Sequence, residues 1–244
     1  NTFIDSSINF GSYAYHSEVF EYGIGDNNFG LYSSVEKASD GGWRDHSEGK
    51  ISRIYLDIGT EKDNFDISTS FLGAITDLNG NGVSPIELLE KDRKSVFTWP
   101  DNTTNTLSMF IANSKYYTTD DSIILANFYI RKLNRKTFNA DEVDAEECAE
   151  DNAADASELK SDYGFDDAPL CGEDNASGDY GVLLDQNGNA IESDDSIRKY
   201  GLINKTFTST KTVGATFQYD TLLSFKNINH NITAGFSLDQ SITD

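Results

Sequence analysis

Residues 64–77 read Asn-Phe-Asp-Ile-Ser-Thr-Ser-Phe-Leu-Gly-Ala-Ile-Thr-Asp. Successive side chains of an extended chain point to opposite sides. One side of this stretch carries Phe65, Ile67, Thr69, Phe71, Gly73 and Ile75, and the other carries Asp66, Ser68, Ser70, Leu72, Ala74 and Thr76. The alternation has period two, and it lasts longer than the ten or so residues a tilted strand needs to cross a bilayer.

The pattern recurs on both sides of this segment. Ile54, Leu56 and Ile58 oppose Arg53, Tyr55 and Asp57, and Leu107, Met109 and Ile111 form another apolar face. Ile124, Ala126, Phe128 and Ile130 alternate with Asn127, Tyr129 and Arg131. Val213, Ala215, Phe217 and Tyr219 oppose Thr212, Gly214, Thr216 and Gln218, and Ile232, Ala234, Phe236 and Leu238 oppose Thr233, Gly235, Ser237 and Asp239. Weaker candidates lie at Tyr13–Tyr22 and Phe29–Glu36, making about eight strands.

Connections between these strands fall into two kinds. Short ones lie near Ile24–Asn28, Thr60–Asp63, Thr118–Asp121 and Phe225–Asn229; long ones span Lys37–Gly49, Asp77–Thr103 and Asn139–Asn204. They alternate along the chain. Tight turns at one rim and long loops at the other are the pattern of an up-and-down transmembrane β-barrel. A soluble sandwich has period-two strands too, but no rule makes every second connection long, and such long loops are uncommon in compact soluble domains. We therefore expect an all-β fold, an antiparallel up-and-down transmembrane barrel, here as a segment of about eight strands.

Composition agrees. The 15 Phe and 12 Tyr, against only 3 Pro, suit strands. No apolar run is long enough for a transmembrane helix, which leaves a barrel untouched. The formal charge of −22 gives the wrong field for nucleic acid, so no nucleic-acid partner is expected. Tyr22, Tyr116, Tyr117 and Tyr219 near strand ends are candidates for an interfacial girdle. The chain opens without a charged-then-apolar leader, and we expect a mature product or a fragment.

The long stretch 140–203 reads as an acidic extracellular loop; between Asp141 and Asp195 its one basic residue is Lys160. It holds both cysteines, Cys148 and Cys171. A lone pair in an exposed polar segment fits a disulfide in an oxidising compartment, two free thiols being the alternative. Asp185-Gln186-Asn187-Gly188-Asn189 carries an Asn-Gly turn signal. In the loop at Asp77–Thr103, Ser84, Pro85 and Glu87 read as N-cap, first-turn proline and capping-box partner of a helix running to about Lys94.

Particular strings resemble a known family. Gly42-Trp43-Arg44-Asp45-His46-Ser47 is one, and Asp77-Leu78-Asn79-Gly80-Asn81-Gly82 followed by Pro85-Ile86-Glu87-Leu88-Leu89 is another. Asp92-Arg93, Val96-Phe97-Thr98, Pro100-Asp101-Asn102-Thr103 and the acidic loop ending Leu184–Asn189 complete the set. In order and spacing they resemble the barrel portion of TonB-dependent outer-membrane receptors of the iron and siderophore transport type, over roughly residues 10 to 240. The resemblance implies a barrel of about 22 strands around an N-terminal plug. This chain, residues 1–244, would be part of that barrel, with the plug and the remaining strands absent. Implied too are location in a Gram-negative outer membrane and uptake of a nutrient, most readily a ferric siderophore. The implied partners are the TonB complex through the plug, outer-membrane lipid and lipopolysaccharide, and a small ligand such as a metal chelate. A monomer without cofactors is expected. The rival readings are a passive porin-like barrel and a β-rich surface adhesin.

Candidate chemistry is sparse. Tyr129, Arg131 and Arg135 share a face opposite the apolar one, where they would hold an anionic ferric chelate or bridge to acidic neighbours. Lys132 and Lys136 fall on the other face, placed to meet lipid phosphates or to snorkel at the rim. Asp77, Asn79 and Asn81 match the first half of a calcium loop, but its twelfth position is Leu88, with Glu87 one short. His16, His46 and His230 are far apart, and no nucleophile elbow, zinc helix or phosphate loop is present, so no catalytic residues and no enzyme are expected. The acidic excess reads as solubility in salty, marine-like surroundings.

Overall fold

The computed structural model describes residues 1–142, 145–148, 169–173, 180–185, 187–193, 201–226 and 228–244. Its main element is one antiparallel sheet. In chain order the strands are β1 (Thr2–Phe10), β2 (His16–Gly25), β3 (Phe29–Asp40), β4 (Gly49–Lys62), β5 (Phe65–Asn79), β6 (Asp101–Thr119) and β7 (Ser122–Glu142). After three short strands, β8 (Ala145–Glu147), β9 (Leu170–Glu173) and β10 (Tyr180–Val182), come β11 (Gly201–Phe225) and β12 (Ile228–Thr243). The nine long strands pair in the order β1-β2-β3-β4-β5-β6-β7-β11-β12, each with its neighbour in the chain apart from the excursion between β7 and β11. The sheet is up-and-down throughout, and β1 and β12 are its edges.

The strand count corrects the sequence reading by one. Thr2–Phe10 is a strand in its own right, and the segment expected to begin at Tyr13 begins at His16. Tyr13 and Ala14 lie in a tight turn at φ 56° and 57°, closed by the Gly11 N–H on the Tyr15 carbonyl at 2.9 Å. That turn is short although it lies at the long-loop rim, where the Gly41 N–H reaches the Tyr13 carbonyl at 2.8 Å.

Register assigns every side chain to a face. Phe71 pairs with Leu56 on one side and Phe110 on the other; Val35 pairs with Ile54, and Phe20 with Val35. Across β11 and β12, Phe217 meets Phe236 and Ala215 meets Leu238. These positions form one apolar face whose side chains stand in the open, Ile75 at 53% and Leu238 at 70% exposed. The opposite face carries Glu21, Tyr32, Tyr55, Asp57, Asp66 and Ser70, aligned through the same ladders. In the described part of this sheet only Ser17, Gly23, Ser70 and Gly214 are buried. A sheet this long with no large apolar side chain buried, and most of them on one face, has placed its main hydrophobic surface outward.

Two expectations change here. Leu107, Met109 and Ile111 pair with Ala74, Leu72 and Ser70, so they belong to the polar face and form an apolar island on it; the outward residues of β6 are Ser108, Phe110 and Ala112. Alternation alone does not say which side faces out. Tyr117 also lies on the polar face, its hydroxyl donating to Asp66 at 3.3 Å, so it is no girdle residue. Tyr22, Tyr116 and Tyr219 are on the apolar face.

The helix α1 is shorter than expected, Ile86–Lys91, and Pro85 is its N-cap with no side-chain cap bond. Ser84 does not cap it because its hydroxyl accepts a guanidinium N–H of Arg44 at 2.9 Å. Among the described residues no helix is long and apolar enough to cross a membrane.

The chain divides into two compact units, one of Asn1–Phe138 with Lys205–Asp244 and the other of Asn139–Asn204. In the second, β8, β9 and β10 form a small antiparallel sheet. The Cys148–Cys171 disulfide joins the residue after β8 to β9. Pro169, Leu170, Cys171 and Gly172 are buried. Backbone bonds from the Leu183 N–H to the Leu170 carbonyl and from the Leu170 N–H to the Ile191 carbonyl, both 2.8 Å, wrap the chain around them. At the turn, one Asp185 carboxylate oxygen accepts the N–H groups of Asn187 and Asn189 at 2.8 and 2.9 Å. The Asn189 bond, with that from Asn187, holds the Asp185 carboxyl below the usual aspartate range.

Candidate functional site

Three regions of the sheet unit carry polar chemistry. The first is the row on β7. Tyr129, Arg131 and Arg135 lie on the polar face, as their spacing requires, about 7 Å apart for each two-residue step. The Tyr129 hydroxyl donates to an Asp239 carboxylate oxygen at 2.5 Å. Its ring lies against Gly214, where an added Cβ would come within 2.1 Å of a ring carbon. The Arg135 Nε–H donates to the Asn105 side chain at 3.0 Å. Tyr129 is therefore held by its neighbours, Arg135 is oriented by an amide, and Arg131 stands between them. A phenol and two guanidiniums in one column suit an anionic, oxygen-rich group.

A second region lies toward the short-turn rim, where a cavity of about 860 Å³ opens on the polar face. Phe3, Tyr32, Asp57, Asp66, Lys115 and Gln218 contribute to its wall, so β1, β3 and β11 meet there. A bonded lattice surrounds it. Tyr32 donates to Glu21, the Ser70 hydroxyl to Asp57 at 2.5 Å, and Tyr55 to Asp57 at 3.4 Å. Phe3, Tyr32 and Tyr55 form an aromatic row with centroids 6.4 and 6.0 Å apart. Phe3 stands directly opposite Gly23, and a Cβ there would come within 2.1 Å of the ring. The column on β7 does not line this cavity.

The third region joins the two long loops between β3 and β4 and between β5 and β6. Arg44 donates to the Ser84 hydroxyl and to the Ser95 carbonyl, at 2.9 and 2.5 Å, while the Asp45 N–H reaches the Lys94 carbonyl at 3.0 Å. The Arg44 Nε is buried without a partner. Gly42 sits at φ 72°, and a Cβ there would strike Ser47. His46, at φ 53°, lies against Trp99 with centroids 4.2 Å apart and the rings tilted by 31°. A left-handed His is uncommon outside turns and functional loops. Trp43 and Trp99, the chain's two tryptophans, are 51% and 54% exposed here. The string at 42–47 already contained Trp43 and His46, but no motif pointed to Trp99 as the partner of His46.

The calcium-like string is otherwise engaged. The Asn102 amide donates to Asp77 Oδ1 and Asn79 Oδ1, each at 2.7 Å, occupying the oxygens a cation would use. Asn81 turns its amide toward the carbonyls of Asp45 and His46 at 3.5 Å. Among the described residues no group of three or more His, Cys, Asp or Glu could hold a metal. Asp26, in the β2–β3 turn, accepts the N–H groups of Asn28 and Phe29 at 2.8 and 2.9 Å, which lowers its carboxyl below the usual range.

No protein-family model matches the sequence, and no curated protein does. Solved structures do. The ferric-catecholate import receptor Fiu from E. coli K12 superposes in its open form with a TM-score of 0.67, over 100% of this chain and 34% of that one, at 10% identity. The closed form of the same receptor gives 0.66, with 32% of its length covered. The siderophore receptor PiuA from Acinetobacter baumannii gives 0.55 over 99% of this chain and 46% of that one, again at 10% identity. The chain has the fold of a receptor barrel wall. It spans about a third of the length of the receptors it matches first. In the barrel wall the outward apolar face meets lipid and the polar face lines the interior, since strands in a bilayer must pair with each other and turn apolar side chains to the hydrocarbon. The column of Tyr129, Arg131 and Arg135 then points inward.

Proposed function

We propose that this chain is the barrel portion of a TonB-dependent outer-membrane receptor that takes up a ferric siderophore. The observation that carries the reading is the match of the entire chain to the fold of a ferric-catecholate import receptor. The two-faced sheet with long loops at one rim and the strings at 42–47 and 77–103 support it. Arg131, half-buried, and Arg135, exposed, both on the polar face, attract the anionic chelate; Trp43 and Trp99 offer it flat apolar contact at the loop rim. TonB would act through a plug domain.

The test is growth and labelled-iron uptake with the full-length gene deleted, under iron limitation, siderophores being supplied singly. Loss of growth on one chelate, restored by the gene, is the expected result. Unchanged uptake of every chelate refutes the siderophore assignment. In the restored strain, Arg131→Ala with Arg135→Ala is expected to weaken chelate binding about 10-fold or more, the scale of two charge-assisted hydrogen bonds.

A further inference from the structure

Asparagine followed by glycine is a step prone to a spontaneous backbone reaction, because glycine has no Cβ to shield its nitrogen from the asparagine side chain. The chain has three such steps, Asn79-Gly80, Asn81-Gly82 and Asn187-Gly188. The reaction needs two freedoms. The glycine N–H must shed its proton, and the side-chain amide must swing back onto that nitrogen.

Two of the steps are held at both points. The Gly80 N–H donates to the Asp101 carbonyl at 2.7 Å, and Asn79 Oδ1 accepts the Asn102 amide at 2.7 Å. The Gly188 N–H donates to the Asp185 carbonyl at 3.0 Å. The N–H and the side-chain amide of Asn187 both donate to the Asp185 carboxylate, at 2.8 and 3.3 Å. Asn81-Gly82 differs. Among the described residues the Gly82 N–H donates to nothing. A Cβ on Gly82 would meet Thr98 Oγ1 at 3.6 Å and nothing closer, and Val83 beyond it is 94% exposed. The Asn81 amide reaches the carbonyls of Asp45 and His46 at 3.5 Å, the outer limit of a hydrogen bond.

We propose that Asn81 deamidates, and that the change loosens the joint between the β3–β4 and β5–β6 loops. The Gly82 nitrogen attacks Asn81 Cγ. The new N–Cγ bond closes a five-membered imide, and the amide nitrogen leaves as ammonia, carrying the Gly82 proton. Water then opens the ring. Cleavage of the N–Cγ bond gives aspartate. Cleavage between the Gly82 nitrogen and the Asn81 backbone carbonyl carbon gives isoaspartate, with Cγ now in the main chain. One water enters, one ammonia leaves, and nothing is oxidised or reduced. An amide that donated to two carbonyls becomes a carboxylate that faces them, and a carboxylate only accepts. The joint is then left to the Arg44 bonds with Ser84 and Ser95 and to the Asp45 N–H on the Lys94 carbonyl. The inference goes beyond the uptake reading and stands without it.

The test ages the full-length folded protein at neutral and mildly alkaline pH. Peptides spanning the three steps are followed by mass spectrometry, and isoaspartate is counted by enzymatic methylation. Conversion at Asn81 is expected to lead that at Asn79 and Asn187 by about 10-fold, the scale of first breaking one backbone hydrogen bond. It should quicken with pH, because the Gly82 amide must lose its proton. In denatured protein the three rates are expected to converge. Gly82→Ala, which the open space admits, is expected to slow conversion at Asn81 alone. Equal rates in the folded protein overturn the site, and so does a lead that persists after denaturation. For the joint, Asn81→Asp is expected to speed amide exchange at Asp45 several-fold while exchange in β4 and β5 stays unchanged. Unaltered exchange at Asp45, in that variant and in the aged protein, overturns the loosening.

Discussion

In the nine-stranded sheet the large apolar side chains, Phe71, Phe128, Phe236 and Leu238 among them, stand in the open. In the segment around Cys148 and Cys171 the arrangement is reversed, with Leu170 and both half-cystines almost fully buried. On the proposed reading the two regions meet different solvents. A sheet in hydrocarbon needs no core of its own, because lipid covers its apolar face and the ladders satisfy its backbone. A short acidic segment in water has too little apolar residue to build a core, so a covalent link and turn hydrogen bonds replace what packing does elsewhere.

The largest effect that would break the contrast is a charge on the outward face. Phe128→Arg is expected to destabilise the sheet by about 2–4 kcal/mol near the bilayer midplane. It should be read from unfolding in lipid vesicles and from loss of the compact band on unheated gels. A silent Phe128→Arg would mean that this face does not meet lipid.

Next comes the staple. Cys148→Ser, or reduction, is expected to remove about 3 kcal/mol for a loop of this size. Hydrogen exchange should speed up at Leu170, Cys171 and Leu183, while exchange in β4, β5 and β6 stays unchanged. Parallel loosening of the sheet would show that the two regions are not independent.

Within the sheet, Gly214→Ala forces the Tyr129 ring off its seat and separates its hydroxyl from Asp239. We expect a loss of about 1–3 kcal/mol, the usual cost of overpacking, measured as a lower denaturant midpoint. Tyr129→Phe should lose about 1 kcal/mol, the net worth of one hydrogen bond.

The smallest effect is a pH dependence confined to the turns. The Asp185 carboxyl is lowered in the folded state, so its contribution is full above the ordinary aspartate value and disappears as pH falls through the lowered one. Amide exchange at Asn187 and Asn189, corrected for its intrinsic pH dependence, should rise on acidification in that range and not at neutral pH. Asp26 should do the same for Asn28 and Phe29.

Much of the wall was legible in the sequence because period two is a local property. From Ile54 to Ile58, along 64–77, and from Val213 to Tyr219 the alternation alone names the strands and their two faces. What it cannot name is the side that faces out. Leu107, Met109 and Ile111 look outward by composition and lie inward by register, since Leu72 pairs with Met109. The strand at Thr2–Phe10 was missed because Asp5, Ser7 and Asn9 make it look like a polar tail; its pairing with β2 supplies the missing information. The disulfide was readable because two cysteines share one segment. The partners of the β7 column were not, because Asp239 lies 110 residues from Tyr129, and Asn105 lies 30 from Arg135. The cap of α1 failed for a similar reason: Ser84 is claimed by Arg44, 40 residues upstream.

The two rings seated over glycines have a consequence for how such a chain can diverge. Phe3 covers Gly23, and Tyr129 covers Gly214, each ring filling the space a Cβ would need. A mutation at either glycine meets an occupied seat, and a mutation of either ring leaves one vacant. The chain shares its fold with Fiu at 10% identity, so the fold tolerates the rewriting of most letters. Positions 3 with 23, and 129 with 214, are where that rewriting has to proceed in pairs.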